Sequence, residues 1–224
     1  MYGFFAGGPM TYDLDRTVEG VTGTEPTLAQ MTDTALRDLS RRSEGFFLMV
    51  EGGAIDWAAH SRDPGSVGAE VQGYDSAVKL AHEWAKGRSD ALLVVTSDHE
   101  TGGLQVDGRT DYTAIHKQSA TTEYMWGLIA AKKLSIRQTL AKYAGIADLT
   151  AAEEGLVTKN GEMGISDVLA TRDKVAWGWS GKDDGDHTLT PVPIRAWGPG
   201  ASLFDVTAAP NELVGTQLVR AAAQ

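Results

Sequence analysis

Two apolar runs, FFLMV at 46–50 and ALLVVT at 91–96, are joined by a long helical pattern and by nothing that could close a hairpin. Between them Val67, Val71, Tyr74, Val78, Ala81 and Ala85 recur at three- and four-residue spacing, the period of one helix face. Each run is short, continuous and bounded by polar residues, which reads as a fully buried strand. Strand, helix, strand in that order is a βαβ unit, which requires parallel strands, a right-handed crossover and cover on both sheet faces. The expected class is therefore α/β with a mainly parallel sheet.

The remaining chain fits around that unit. Residues 1–25 are glycine-rich and loop-like. Pro26 suits a first helical turn, and Leu28, Met31, Ala35 and Leu39 predict an amphipathic helix to about Arg41. Residues 56–61 look like one helical turn interrupted by Asp63, Pro64 and Gly65, before a helix over 65–86 that Gly87 stops. Residues 103–180 are less regular, with helices expected at 120–131, 135–144 and 150–157. Thr150 and Glu153 give the last of these the spacing of a capping box. This stretch reads as an insertion over or beside the sheet. PVPIRAW at 191–197 is a third strand, short or at an edge because of its two prolines, and 211–222 is a final helix.

Composition removes several function classes. A net charge of -10 over 224 residues argues against non-specific binding to nucleic acid or an anionic membrane surface, both of which reward basic patches, so neither is expected as a partner. There is no cysteine, hence no disulfide and no thiolate metal site. No apolar stretch reaches transmembrane length. The first residues, MYGFFAGGPMTYDLDR, lack the basic and continuous apolar regions of a signal peptide. Either the chain is cytoplasmic or its true beginning lies elsewhere.

In open parallel sheets, ligands collect beyond the carboxyl ends of the strands. Glu51, Asp56 and His60 follow the first run, Asp98 and His99 follow the second, and His187 precedes the third. Asp56 and His60 are four apart and share one helical face. Mixed oxygen and imidazole donors suit zinc with a position left open, whereas Glu51 is of the type that magnesium takes. Gly102 and Gly103 allow close backbone approach after Asp98 and His99. A single histidine near a strand end is ordinarily structural, and a single aspartate there is ordinarily a helix cap. Here three of the five histidines fall at three separate element ends, each close to an acidic residue. His82, mid-helix, and His116, in the insertion, take the ordinary reading.

FFLMVEGGAIDWAAH, then LLVVTSDHETGGL, then HTLTPVPIRAWGPGA resemble the alkaline phosphatase family. GFFAGGPMTYDLDR, EPTLAQMTDTALRDLS, GPGASLF and NELVGTQL extend the resemblance over almost the whole chain; it is clearest at 1–104 and 177–218. It implies a partial three-layer sandwich with a mainly parallel sheet, residues 1–224 forming one incomplete domain into which 103–180 is inserted. It also implies hydrolysis of phosphate monoesters at two zinc ions and one magnesium ion. Asp56, His60 and His187 would hold the zinc that activates the attacking water, Asp98 and His99 the second zinc, and Glu51 the magnesium.

The family's N-terminal half, with its serine nucleophile in an Asp-Ser-Ala context, has no counterpart here. Asp75, Ser76 and Ala77 repeat that tripeptide inside the long amphipathic helix, where Ser76 reads as an ordinary helix residue. The resemblance thus implies a C-terminal half that is nearly inactive alone, a complementing N-terminal half as partner, and a homodimer as in relatives. It implies a periplasmic or extracellular location. Trp57 stands where relatives often carry His or Lys, and its simplest role is packing. Three other readings stay open: a sulfatase, phosphodiesterase or mutase of the same superfold; a non-catalytic zinc-binding fragment; and a structural α/β domain.

Overall fold

The computed structural model describes residues 3–178, 187–206 and 208–222. They fall into two compact units that alternate along the chain. One comprises Met1–Pro26, Gly52–Gln72 and Thr101–Thr188, the other Thr27–Glu51, Gly73–Glu100 and Leu189–Gln224. The chain therefore passes from one unit to the other after Pro26, Glu51, Gln72, Glu100 and Thr188.

The second unit opens with α1 (Leu28–Leu39), whose first turn is closed by Thr27. The Thr27 hydroxyl accepts from the Gln30 amide at 3.2 Å, and the Gln30 side chain accepts from the Thr27 amide at 2.8 Å. This reciprocal pair satisfies two amides that a bare helix start leaves orphaned. The first unit contributes α2 (Ala54–His60) and the start of α3 (Pro64–Ala85), which continues into the second unit after Gln72. Ser76 lies exposed in α3, as expected of a helix-surface residue.

In the second unit β1 (Leu93–Val95) is a strand, but its partner differs from the expected one. It pairs antiparallel with Arg195–Trp197, in the register Leu93 to Trp197 and Val95 to Arg195. Gly198, at φ +100°, ends the pairing where a Cβ would collide with the Ala91 carbonyl oxygen. Residues 46–50 form no strand: Phe47 is 70% and Met49 74% exposed. The expected buried strand at 46–50 is thus corrected, and no parallel pairing occurs among the described residues. A strand exists only where a neighbour takes up its backbone groups, and no such neighbour is found among the described residues. Phe46 instead turns its ring to Trp84, 5.8 Å away, over which the Arg88 guanidinium sits at 4.4 Å.

The first unit is mostly helical. β2 (Leu104–Gln105) pairs antiparallel with β3 (Ala176–Trp177). Between them run α4 (Tyr112–Ile115), α5 (Thr122–Ala130), α6 (Ile136–Tyr143), α7 (Ala151–Asn160) and α8 (Glu162–Asp173). Met125, Leu140, Val157 and Ile165, one from each of α5 to α8, are wholly buried together. The Thr150 and Glu153 capping box is present, and Ser135 with Gln138 forms another at α6. The chain ends, after β4 (Arg195–Trp197) and a 3-10 turn at Ala201–Phe204, with α9 (Asn211–Ala222) in the second unit. No described helix is long and apolar enough to cross a membrane.

Candidate metal centre

Short helix α2 is seated by Ala58 and Ala59, 1% and 5% exposed. With those two residues turned inward, Asp56 and His60 share another face one turn apart, both half-buried, and Trp57 is 45% exposed. The far end of α2 is tied to α8. Ser166 donates to the Ser61 carbonyl at 2.7 Å. Arg62 donates to Asp167 at 3.0 Å and to the Met163 sulfur at 3.1 Å.

The next residue, Asp63, is 1% exposed and serves two helix starts. Its carboxylate accepts from the Ser66 amide at 2.9 Å in α3, the Thr122 amide at 2.7 Å in α5, and the Gln118 side chain at 2.6 Å. Burial pushes this carboxyl above the usual range, against the lowering effect of those hydrogen bonds. The pairing of an aspartate with a following proline is an N-cap signal. Read as a mere interruption, it hides that role.

Donor atoms of Asp56, His60 and His187 all lie within 4.8 Å of one another. Asp56 Oδ2 is 3.5 Å from His60 Nε2, and the His60 and His187 rings are 5.3 Å apart. Around one zinc ion at about 2.0 Å, tetrahedral donors stand roughly 3.3 Å apart. Two imidazoles and a carboxylate at these separations therefore fit zinc in both donor type and spacing. Among the described residues this is the single group of three or more such side chains.

The other expected ligands belong to the second unit. Asp98 Oδ2 is 3.4 Å from His99 Nε2, and the two side chains are 80% and 37% exposed. Glu51 is exposed. His82 meets the Trp197 ring edge-on at 5.5 Å, and His116 Nδ1 lies 2.6 Å from the Tyr112 carbonyl oxygen.

A further group joins the centre. Thr101 donates its hydroxyl hydrogen to Asp56 Oδ1 at 2.6 Å. It is followed by Gly102 at φ +77° and Gly103 at φ +64°, a backbone that side chains disfavour. A Cβ on Gly102 would lie 2.9 Å from the Ala59 carbonyl oxygen, and one on Gly103 3.0 Å from the Thr188 methyl. The turn thus touches α2 on one side and the residue after His187 on the other.

A family model for alkaline phosphatase matches residues 1–223. The chain belongs to the alkaline phosphatase family. Alkaline phosphatase 4 of Bacillus subtilis (strain 168) is 35% identical over 217 residues, which is 90% of this chain and 44% of that relative. Alkaline phosphatase of Escherichia coli (strain K12) is 49% identical over 75 residues, 33% of this chain and 16% of its own length. Among solved structures, the Thermus thermophilus alkaline phosphatase superposes with a TM-score of 0.83 at 25% identity, covering 98% of this chain and 52% of that one. The cold-active enzyme of Shewanella sp. gives 0.78 at 27%, covering 95% and 53%. The chain spans about half the length of the Bacillus subtilis, Thermus thermophilus and Shewanella sp. relatives. The α/β class read from the sequence agrees with these neighbours, and both strand pairings among the described residues of this family member are antiparallel.

Proposed function

We propose that this chain supplies the metal-ligating part of a phosphate monoesterase. The observation that carries the reading is the meeting of Asp56, His60 and His187 in a chain that matches the alkaline phosphatase model from residue 1 to 223. Asp56, His60 and His187 hold one zinc ion, Asp98 and His99 contribute to a second, and Glu51 to magnesium. Bound zinc supplies positive charge that acidifies water and offsets the charge on phosphate oxygens. The chain's own part is orientation: α2 fixes Asp56 and His60, and His187 meets them from a distant position in the sequence. Residues 103–180 act as a helical insertion into one phosphatase domain. A periplasmic or extracellular location follows from the same family reading.

Ser76 in α3 is an exposed helix residue and, on this reading, is not the nucleophile. The nucleophile, on this reading, comes from a complementing N-terminal half, and the chain alone turns over phosphate monoesters very poorly. Zinc titration against a chromophoric chelator should show tight binding by the pure chain, reduced at least about 100-fold in His187→Ala. A chromogenic phosphate ester should give almost no steady-state turnover until an N-terminal half of a relative is added. Rapid zinc-dependent turnover by the pure chain would refute the division of labour. Failure to bind zinc would refute the metal reading itself.

A further inference from the structure

We infer that Thr101 is a positioning residue for Asp56, and that Gly102 and Gly103 exist to bring it there. The inference rests on the zinc reading above and adds a residue to it. A carboxylate offers two oxygens to a cation and can rotate between them unless one is engaged elsewhere. Here the Thr101 hydroxyl donates to Oδ1 at 2.6 Å, while Oδ2 faces His60 Nε2 at 3.5 Å. The two oxygens therefore have different tasks. Oδ1 is anchored to the loop, and Oδ2 is the oxygen presented beside the two imidazoles.

A ligand held by a hydrogen bond to its other oxygen loses less freedom on binding a metal, and such partners are worth about 10- to 100-fold in affinity. Only a close approach of the loop to α2 makes this bond. Gly102 sits where a Cβ would come within 2.9 Å of the Ala59 carbonyl oxygen, one residue before His60. Gly103 sits against Gly178 and Thr188, where a Cβ would lie 2.9 Å from the Gly178 Cα. One turn of three residues thereby sets the carboxylate on α2 and lies against the neighbour of His187.

The test compares Thr101→Val, of similar shape but without the hydroxyl, and Thr101→Ser, which keeps it. Zinc affinity of the whole chain is read by chelator competition, and the zinc-free melting temperature is read alongside. Thr101→Val should bind zinc about 10- to 100-fold more weakly, with an unchanged number of ions bound at saturation. Thr101→Ser should stay within about threefold of the parent, since it restores the charge-assisted donor. Equal affinity in Thr101→Val and parent overturns the inference. If Thr101→Val also lowers the zinc-free melting temperature, Thr101→Ser decides: affinity near the parent supports the inference, and affinity as weak as in Thr101→Val overturns it. Zinc binding that His187→Ala weakens but Thr101→Val does not removes this inference alone. A parent chain that binds no zinc removes the metal reading with it.

Discussion

Asp173, the last residue of α8, is 2% exposed, and one of its carboxylate oxygens has no hydrogen-bond partner among the described residues. Burial first, then the nearby charges of Asp111 and Asp63, push its carboxyl up to about 7. The folded state thus holds the proton more tightly than the unfolded chain, where the value is about 3.9. Ionised Asp173 costs stability above pH 7, and that cost is relieved as the pH falls from about 7 towards 4. Asp173→Asn should therefore raise stability at pH 8 by about 1–3 kcal/mol and change little at pH 4.5. Melting curves at the two pH values check this, and a gain independent of pH would contradict it. Glu153 has the opposite sign. The Arg172 guanidinium, bonded to it at 2.7 and 2.9 Å, holds its carboxyl down to about 2. Its contribution is present above the unfolded value and fades only as the pH falls towards 2. At this scale the sequence is partly readable. The spacing of Asp56 and His60 is imposed by a single helix and can be counted. The bond from Thr101 to Asp56 spans 45 positions and has no local signal.

Helices α7 and α8 meet through a glycine. A Cβ on Gly164 would stand 2.5 Å from the Leu156 carbonyl oxygen and 2.7 Å from the Val157 Cα, both backbone atoms of α7. Gly155, also helical, faces open space. Two identical substitutions should then act in opposite directions. Gly164→Ala should destabilise by about 1–3 kcal/mol through overpacking, and Gly155→Ala should stabilise by about 0.5–1 kcal/mol through helix propensity. Urea midpoints of the two variants at constant slope test the pair; a shift of the same sign in both would undo the argument. The same helices show why some elements can be read in advance. α7 and α6 announce themselves by their caps, Thr150 with Glu153 and Ser135 with Gln138. α8 does not. Its buried residues, Gly164, Ile165, Ser166, Val168, Leu169 and Asp173, lie on several sides and leave no apolar stripe to count. The run at 46–50 fails for a different reason: its apolarity is visible, but whether it pairs depends on a neighbour that no local pattern specifies.

Within the second unit, Phe47 and Met49 are the most exposed residues of that run, while Phe46, 37% exposed, sets its ring against Trp84. Large apolar side chains left in water favour association and dye binding. Phe47→Ser combined with Met49→Ser should lower the fluorescence of a hydrophobic dye bound to the chain and reduce its self-association in sedimentation. The melting temperature should move by only a few degrees, since exposed positions contribute little to stability. A large loss of stability would mean that the run is packed after all. The five transfers of the chain between its units, after Pro26, Glu51, Gln72, Glu100 and Thr188, carry a last consequence. No single protease nick can release either unit as one continuous polypeptide. Anyone who wishes to express them separately must splice three segments together with new linkers, and the imidazole of His187 will reach its neighbours on α2 only if that re-joined backbone keeps its original path.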